Sequence, residues 1–364
     1  MTGYQYQSVL GAVAAAAICI LSLRAFRRRK LSFSLLFAWI TVAGIVGLTP
    51  ILSWLLRTPA AKIGVTPTGI VLALATNLLL LTLFRLSVDV SSVRQIASSN
   101  TTQTAVLAVT PRRTPTSDVL VLIPALNEAG AIAAVVTEVL KAGFDCLVVD
   151  DGSTDNTFNV ARDAGAMIAS HSTNLGVGAA LRTGFQFAYE QCYDVVVQCD
   201  GDGQHEVASI AELVARLRSL SADLVIGSRW LEGGQYSGSI SGVRRKAMRT
   251  LSWYASRAVG GPITDPTSGF RAFSSRLATA SRTEIGNHYL SDTFELLIRS
   301  ARAGYAVEET SVSMRGRVAG VPSAAGVRLS LYAVRAFLVA VLHLAPPFGG
   351  RSPSVREEQG ASDQ

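Results

Sequence analysis

Two aspartates separated by one glycine, Asp200-Gly201-Asp202, close the apolar run in DVVVQCDGDGQH. Carboxylates placed this way can turn toward one cation. Hard oxygen donors suit Mg2+ or Mn2+, ions that bridge a protein to a diphosphate rather than sit in a closed protein cage. Gln204 is a third oxygen donor close by, whereas His205 reads equally as a cap and is left out of the metal set. A solvated turn is the plain alternative for any lone Asp-x-Asp. Two more polar clusters end apolar runs in the same manner. IPALNE presents Pro124, Leu126, Asn127 and Glu128, and VVDDGSTDNT presents Val149, Asp150, Asp151 and Asp155. Singly, the first reads as a helix start capped by Asn127 and the second as an ordinary turn. Asp151, at the end of its run, can also accept hydrogen bonds from a base or ribose. Three such clusters in series favour a site over three unrelated turns.

The elements that must carry these clusters alternate. DVLVLIP, FDCLVVDD, AMIASHS, DVVVQCD and DLVIGSR are short apolar runs suited to buried strands, and between them lie segments with helical spacing such as AGAIAAVVTEVLKAG and GVGAALRTGFQFAYEQ. Strands alternating with helices of this length predict an α/β fold, a mainly parallel sheet with helices on both faces. In such sheets ligands bind beyond the carboxyl ends of the strands, which is where the acidic clusters fall.

The rest of the chain has a different character. Of 364 residues 49% are hydrophobic and only 16% charged, against about 25% charged in a soluble domain. Mean hydropathy is +0.34. Residues 4–23, 33–56 and 66–84 each approach the ~20 apolar residues that cross a bilayer, which predicts a three-span α-helical transmembrane module over residues 1–86. Charges follow the first run rather than precede it, unlike a signal peptide. RAFRRRK at 24–30 outweighs the loop carrying Arg57 and Lys62, so the N-terminus is expected outside and everything after Arg85 in the cytoplasm, on a multi-pass cell-membrane protein. Residues 87–117 read as a short helix and linker, 118–326 as the α/β domain, 327–346 as an interfacial or membrane helix, and 347–364 as a disordered tail. The segment RRKAMRTLSWYASRAV has the composition of a second interfacial helix. The net charge of +7 sits beside apolar segments, which fits anionic lipid and not nucleic acid. Cys19, Cys146, Cys192 and Cys199 form no metal or disulfide pattern and are expected as buried free thiols.

Together, IPALNE, VVDDGSTDNT, NLGVGAALRTGF, QCDGDGQH, GSR (227–229) and DPTSGFRAF (265–273) resemble the family 2 glycosyltransferases of the dolichyl-phosphate mannose synthase-like branch, over residues 118 to about 325. The N-terminal spans resemble the DUF2304 membrane domain. The resemblance implies a GT-A fold and a nucleotide-sugar donor of the GDP-mannose or UDP-glucose type. It places Pro124, Leu126, Glu128, Val149 and Asp151 at the nucleotide, and Asp200, Gly201 and Asp202 at the metal and diphosphate. It places Arg229 and Arg317 at phosphate. The family's R-x-x-G-x-S-K reads here as Arg317, Gly320 and Ser323, so its lysine is replaced and Arg315 or Arg328 is the substitute. Leu126 stands where the family often has tyrosine.

The first reading of function is sugar transfer to a polyprenyl phosphate at the membrane, with inversion. Such an acceptor arrives ionised and needs no general base. Arg229 and Asp265 join Asp200 and Asp202 as catalytic candidates. A glycolipid or glycan hydroxyl is the second acceptor class, and it requires a base, for which Asp265 is the candidate. An inactive membrane scaffold that keeps the fold is the third reading, and a homo-oligomer is compatible with all three.

Overall fold

In the computed structural model the described residues are 3–28, 67–111, 113–232, 235–236, 242–282 and 291–315, with scattered positions between 31 and 44. Arg317, Gly320, Ser323, Arg328, the expected helix at 327–346 and the tail lie outside them, as does most of the second expected span. The chain divides into two compact units, Met1–Ala97 and Ser98–Gln364.

Helix α1 (Gly3–Arg27) belongs to the first unit and carries Arg24 and Arg27 in its last turn, where cations meet the negative end of the helix dipole. Helix α2 (Pro67–Leu107) starts in that unit. Trp39 and Phe84 meet edge to face with ring centroids 5.1 Å apart. Among the described residues no helix is long and apolar enough to cross a membrane, so the three-span module remains an expectation of the sequence.

The second unit is built on a seven-stranded sheet of order β3-β2-β1-β4-β7-β5-β8. Its strands are β1 (Val119–Ala125), β2 (Asp145–Asp150), β3 (Met167–Ser170), β4 (Val195–Gln198), β5 (Leu224–Ser228), β7 (Arg271–Ser274) and β8 (Val307–Ser311), and β6 (Gln235–Tyr236) pairs separately with β9 (Ser313–Met314). Alternate side chains of β1 serve two cores. Leu120 and Leu122 enter one with Leu181 and Phe185 of helix α5 (Val177–Glu190). Val121 and Ile123 enter the other with Val136 of α3 (Ile132–Lys141) and Leu213 of α6 (Ser209–Ser219). That period of two, buried on both faces, is what the continuous apolar runs require. The remaining helices are α4 (Thr157–Asp163), α7 (Gly242–Val259), α8 (Ser275–Ser281) and α9 (Ser291–Arg302).

Two features add to the sequence reading. β7 is antiparallel to both β4 and β5, so the parallel series is interrupted by a strand drawn from DPTSGFRAF. Residues 87–117, expected as a short helix and then a linker, are helical through Leu107, and the end of that helix is core: Ala105 and Val106, with Val109 just beyond, are buried beside Leu120 and Leu122. Thr110 bonds in both directions with Ile168 and so covers the outer edge of β3. The second compact unit thus takes in this helical end as well as the strands that follow. Cys146 and Cys199 are buried, but Cys192 is exposed, at a position whose φ of 59° belongs to a surface turn.

Candidate active site

Strand order reverses between β1 and β4, since β2 and β3 extend one way from β1 and β4 begins the other. A crevice opens at such a reversal, beyond the carboxyl ends of the strands. IPALNE closes β1 and the acidic turn follows β4, so the two flank it. A Cβ on Gly201 would lie 3.7 Å from that of Glu128, which sets Glu128 directly against the acidic turn.

The first two loops brace each other. Asn127, at φ 58°, donates its N–H to Ser153 Oγ and accepts from the Thr154 N–H at 2.8 Å on its own Oδ1. The Glu128 N–H donates to Thr157 Oγ1, and that of Ala129 to Asp155 Oδ2. Asn127 is therefore a staple between loops and not a helix cap. α3 begins at Ile132, with no side-chain bond at its cap residue Ala131. Gly152, at φ 73°, lets the second loop pass over the third: a Cβ there would sit 2.7 Å from the carbonyl carbon of Thr173.

Asp151 is buried and already engaged. Its Oδ1 accepts from His171 Nδ1 at 2.7 Å and from the Leu175 N–H at 2.9 Å, and its Oδ2 accepts from the Gly176 N–H at 2.7 Å. Sequence reasoning placed Asp151 at the nucleotide but did not single out His171, because no local pattern marks a histidine whose partners lie on another strand and helix. Val149, expected at the nucleotide, is wholly buried in the core beside Leu122 and Ala169. Pro124 is half-buried, and Leu126 is 37% exposed at the rim.

The acidic turn is held by His205. The Asp200 N–H donates to His205 Nδ1 at 2.9 Å, which puts the ring proton on Nε2, 3.6 Å from Asp200 Oδ2. The ring stacks on Phe270 at 4.6 Å. Burial pushes its pKa down to about 4, so it is neutral near pH 7 and acts as a brace with Nδ1 already occupied. Asp202 is buried and accepts the Gln204 N–H at 3.0 Å, while the Gln204 carbonyl accepts from the Arg315 N–H. The Asp200 side chain is 38% exposed. Gly269 lies against it, where a Cβ would come within 3.1 Å of Oδ1. This oxygen-only donor set fits a small hard cation. Among the described residues no group of three or more His, Cys, Asp or Glu could hold one, so diphosphate or water oxygens would have to complete its shell.

Arg229, expected at phosphate, and Asp265, the candidate base, are joined to each other. Nε and Nη2 of Arg229 reach Asp265 Oδ2 and Oδ1 at 2.6 and 2.9 Å, and the Asp265 side chain has no exposed surface. Behind the pair, Glu309 accepts the N–H groups of Thr264 and Asp265 and the Thr264 hydroxyl. Burial raises the pKa of Glu309 against those hydrogen bonds. Arg271 is fully buried, its guanidinium donating to the carbonyls of Ser268, Pro266 and Thr293 at 2.7 to 2.8 Å. Burial lowers its pKa to about 10 despite the pull of Asp265 and Glu309, so it stays charged. Two cations and two carboxylates thus balance in the interior and fix the DPTSG turn beside Asp200. Neither Glu309 nor Arg271 was singled out by the sequence. An arginine opening the apolar strand RAF was the available signal. Arg315, a suggested phosphate contact, lies 3.6 Å from Glu138 and 3.5 Å from Glu206.

The family model "Glycosyl transferase family 2" matches residues 120–278. The undecaprenyl-phosphate mannosyltransferase of Micrococcus luteus is 30% identical over 220 residues, 57% of this chain and 88% of that protein. The UDP-N-acetylglucosamine–dolichyl-phosphate N-acetylglucosaminyltransferase of Methanococcus voltae is 32% identical over 174 residues, covering 43% and 69%. The structure of glucosyl-3-phosphoglycerate synthase from Mycobacterium tuberculosis in complex with UDP superposes with a TM-score of 0.50 at 22% identity, over 68% of this chain and 85% of that one, and shares the fold. A GT-A sheet with its motifs at the strand ends, and relatives matched over most of their length, place this chain in glycosyl transferase family 2, as a glycosyltransferase.

Proposed function

We propose that the chain transfers a sugar from a nucleotide sugar to a polyprenyl phosphate at the cytoplasmic face of a membrane, with a divalent cation and with inversion. The observation that carries the acceptor class is Asp265. Its two oxygens are bonded to Arg229 and its side chain has no exposed surface, which leaves it a poor general base. A phosphate oxygen is already ionised near neutral pH and needs none. The names of the two relatives, both sugar transferases to polyprenyl-type phosphates, support the same class. Since one is a mannosyl and the other an N-acetylglucosaminyl transferase, they leave the donor sugar open.

In this reading Pro124, Leu126, Glu128 and Asp151, with Val149 behind them, receive the nucleotide, and Asp200 and Asp202, with Gln204, would hold Mg2+ or Mn2+. The bound cation supplies Lewis-acid stabilisation of the leaving charge. Glu128 and the acidic turn orient the donor, and Arg229, held by Asp265, presents positive charge to phosphate, with Arg317 as a second contact. A phosphate oxygen of the acceptor bonds to the anomeric carbon as the bond to the diphosphate breaks, and the nucleoside diphosphate leaves with the electron pair. Membrane attachment is supported by the lipid phosphates in the names of the two relatives and by the arginines that follow the first apolar run of the sequence.

The test is a panel of nucleotide sugars offered to the membrane-extracted full chain with a polyprenyl phosphate or a hydroxyl-bearing glycolipid. Lipid-linked sugar forming on the phosphate, with divalent metal present, is the expected result. Preference for the hydroxyl lipid would transfer the assignment to the second acceptor class.

A further inference from the structure

His171 follows β3 and its backbone N–H donates to the Asp150 carbonyl, so the chain fixes where its ring begins. The ring then spans a gap between strand and helix. Nδ1 lies 2.7 Å from Asp151 Oδ1, and Nε2 lies 2.8 Å from Oγ1 of Thr183 on α5. The carboxylate can only accept, so Nδ1 carries a proton, while Nε2 meets a threonine hydroxyl that also lies 3.1 Å from the Ala179 carbonyl as a donor. His171 has no exposed side-chain surface, and Asp151 only 6%. A position needed only for packing would be filled by an apolar side chain without the cost of burying two ring nitrogens. Here both are satisfied, and one of them by a residue of the candidate site.

The acceptor count at Asp151 gives the consequence. A carboxylate offers about four acceptor positions. Oδ1 uses two, for His171 and Leu175, and Oδ2 uses one, for Gly176, so the remaining position is on Oδ2. Its direction is set by how the carboxylate is rotated. The two backbone donors come from the turn entering α5, whereas His171 holds the carboxylate from a side chain seated between β2 and α5.

We propose that His171 is a positioning residue for the donor nucleotide, acting through Asp151: it locks the carboxylate, and the turn at 174–176 bonded to it, in the orientation that leaves Oδ2 facing the ligand. The proposal rests on the nucleotide-sugar reading above. It separates the two ends of the ring. The Nδ1 contact governs nucleotide affinity, and the Nε2 contact governs only stability.

Near-isosteric variants divide these ends. His171→Asn keeps an amide N–H near the Nδ1 position and drops the reach to Thr183. His171→Gln keeps the reach to Thr183 and drops the bond to Asp151. Thr183→Val removes the far contact with the Asp151 bond intact. Calorimetric titration of the full chain with GDP and with UDP, each with Mg2+, should give His171→Gln a Kd about tenfold weaker, with His171→Asn and Thr183→Val within about threefold of the unaltered chain, on the scale of lost support behind a ligand-contacting group. Thr183→Val should nevertheless melt at a lower temperature. Equal affinity of the Gln and Asn variants would overturn the proposal, as would an affinity loss in Thr183→Val matching that of His171→Gln. An unaltered chain that binds neither nucleotide would overturn the donor reading as well.

Discussion

Removing either half of the Arg229–Asp265 pair should reveal a unit rather than two independent residues. In Asp265→Asn the amide oxygen can accept from one of the two guanidinium N–H groups now held at 2.6 and 2.9 Å, while the amide nitrogen faces the other, donor against donor. The Arg229 charge, only 15% exposed, loses its carboxylate partner. Breaking one partner of a buried pair costs about 3–5 kcal/mol, and partial exposure of the arginine puts the expected loss at the lower end, about 3 kcal/mol. Arg229→Met strands the fully buried Asp265 carboxylate and should cost about as much by the same argument. The double variant removes both charges together, so the stabilities should fail to add by about 2 kcal/mol or more, which equilibrium denaturation can resolve. Activity should follow the same pattern. Each single change should remove or displace the cation proposed to face phosphate and lower kcat by about 100-fold, and the double variant should be no slower than the worse single. Additive stabilities would refute this account. So would an Asp265→Asn enzyme whose loss is far larger than that of Arg229→Met and which loses an acidic limb that the unaltered chain shows in its pH profile, because that is how removal of a general base behaves.

Asp202→Ala should lower transfer by more than about 10³-fold while leaving the fold intact, and chelation should silence the unaltered chain until Mg2+ or Mn2+ is restored; persistent activity after chelation would contradict the metal assignment. Gly269→Ala brings a Cβ within 3.1 Å of Asp200 Oδ1, so the carboxylate must shift by a few tenths of an ångström, and the donor KM measured at fixed metal should rise about tenfold with little change in melting temperature. Arg271→Met removes the donor from three buried carbonyls and one cation from the interior pair of carboxylates, and denaturation should show a loss of about 3–5 kcal/mol even though Arg271 is kept from any ligand by burial.

What the amino-acid order determined alone was the set of local features: continuous apolar runs that had to be strands buried on both faces, helical periods between them, and acidic turns where the strands end. These follow from nearest-neighbour chemistry, in which the pleat, the turn and the hydrophobic period are fixed within a few residues. From them came the GT-A sheet, its family and the residues bordering the crevice. The tertiary structure decided which of those residues face a ligand and which face one another. Asp151 and His171 are twenty positions apart, Arg229 and Asp265 thirty-six, Asp265 and Glu309 forty-four, and the sequence between the members of each pair names no partner. It also decided that the end of the expected linker, through Val106 and Thr110, belongs to the core, and that RAFS enters the sheet antiparallel between β4 and β5. The reason is common to all of these. A buried charge or a sheet edge must be satisfied, but any complementary group that the fold brings within reach can satisfy it, and only the folded chain determines which one that is.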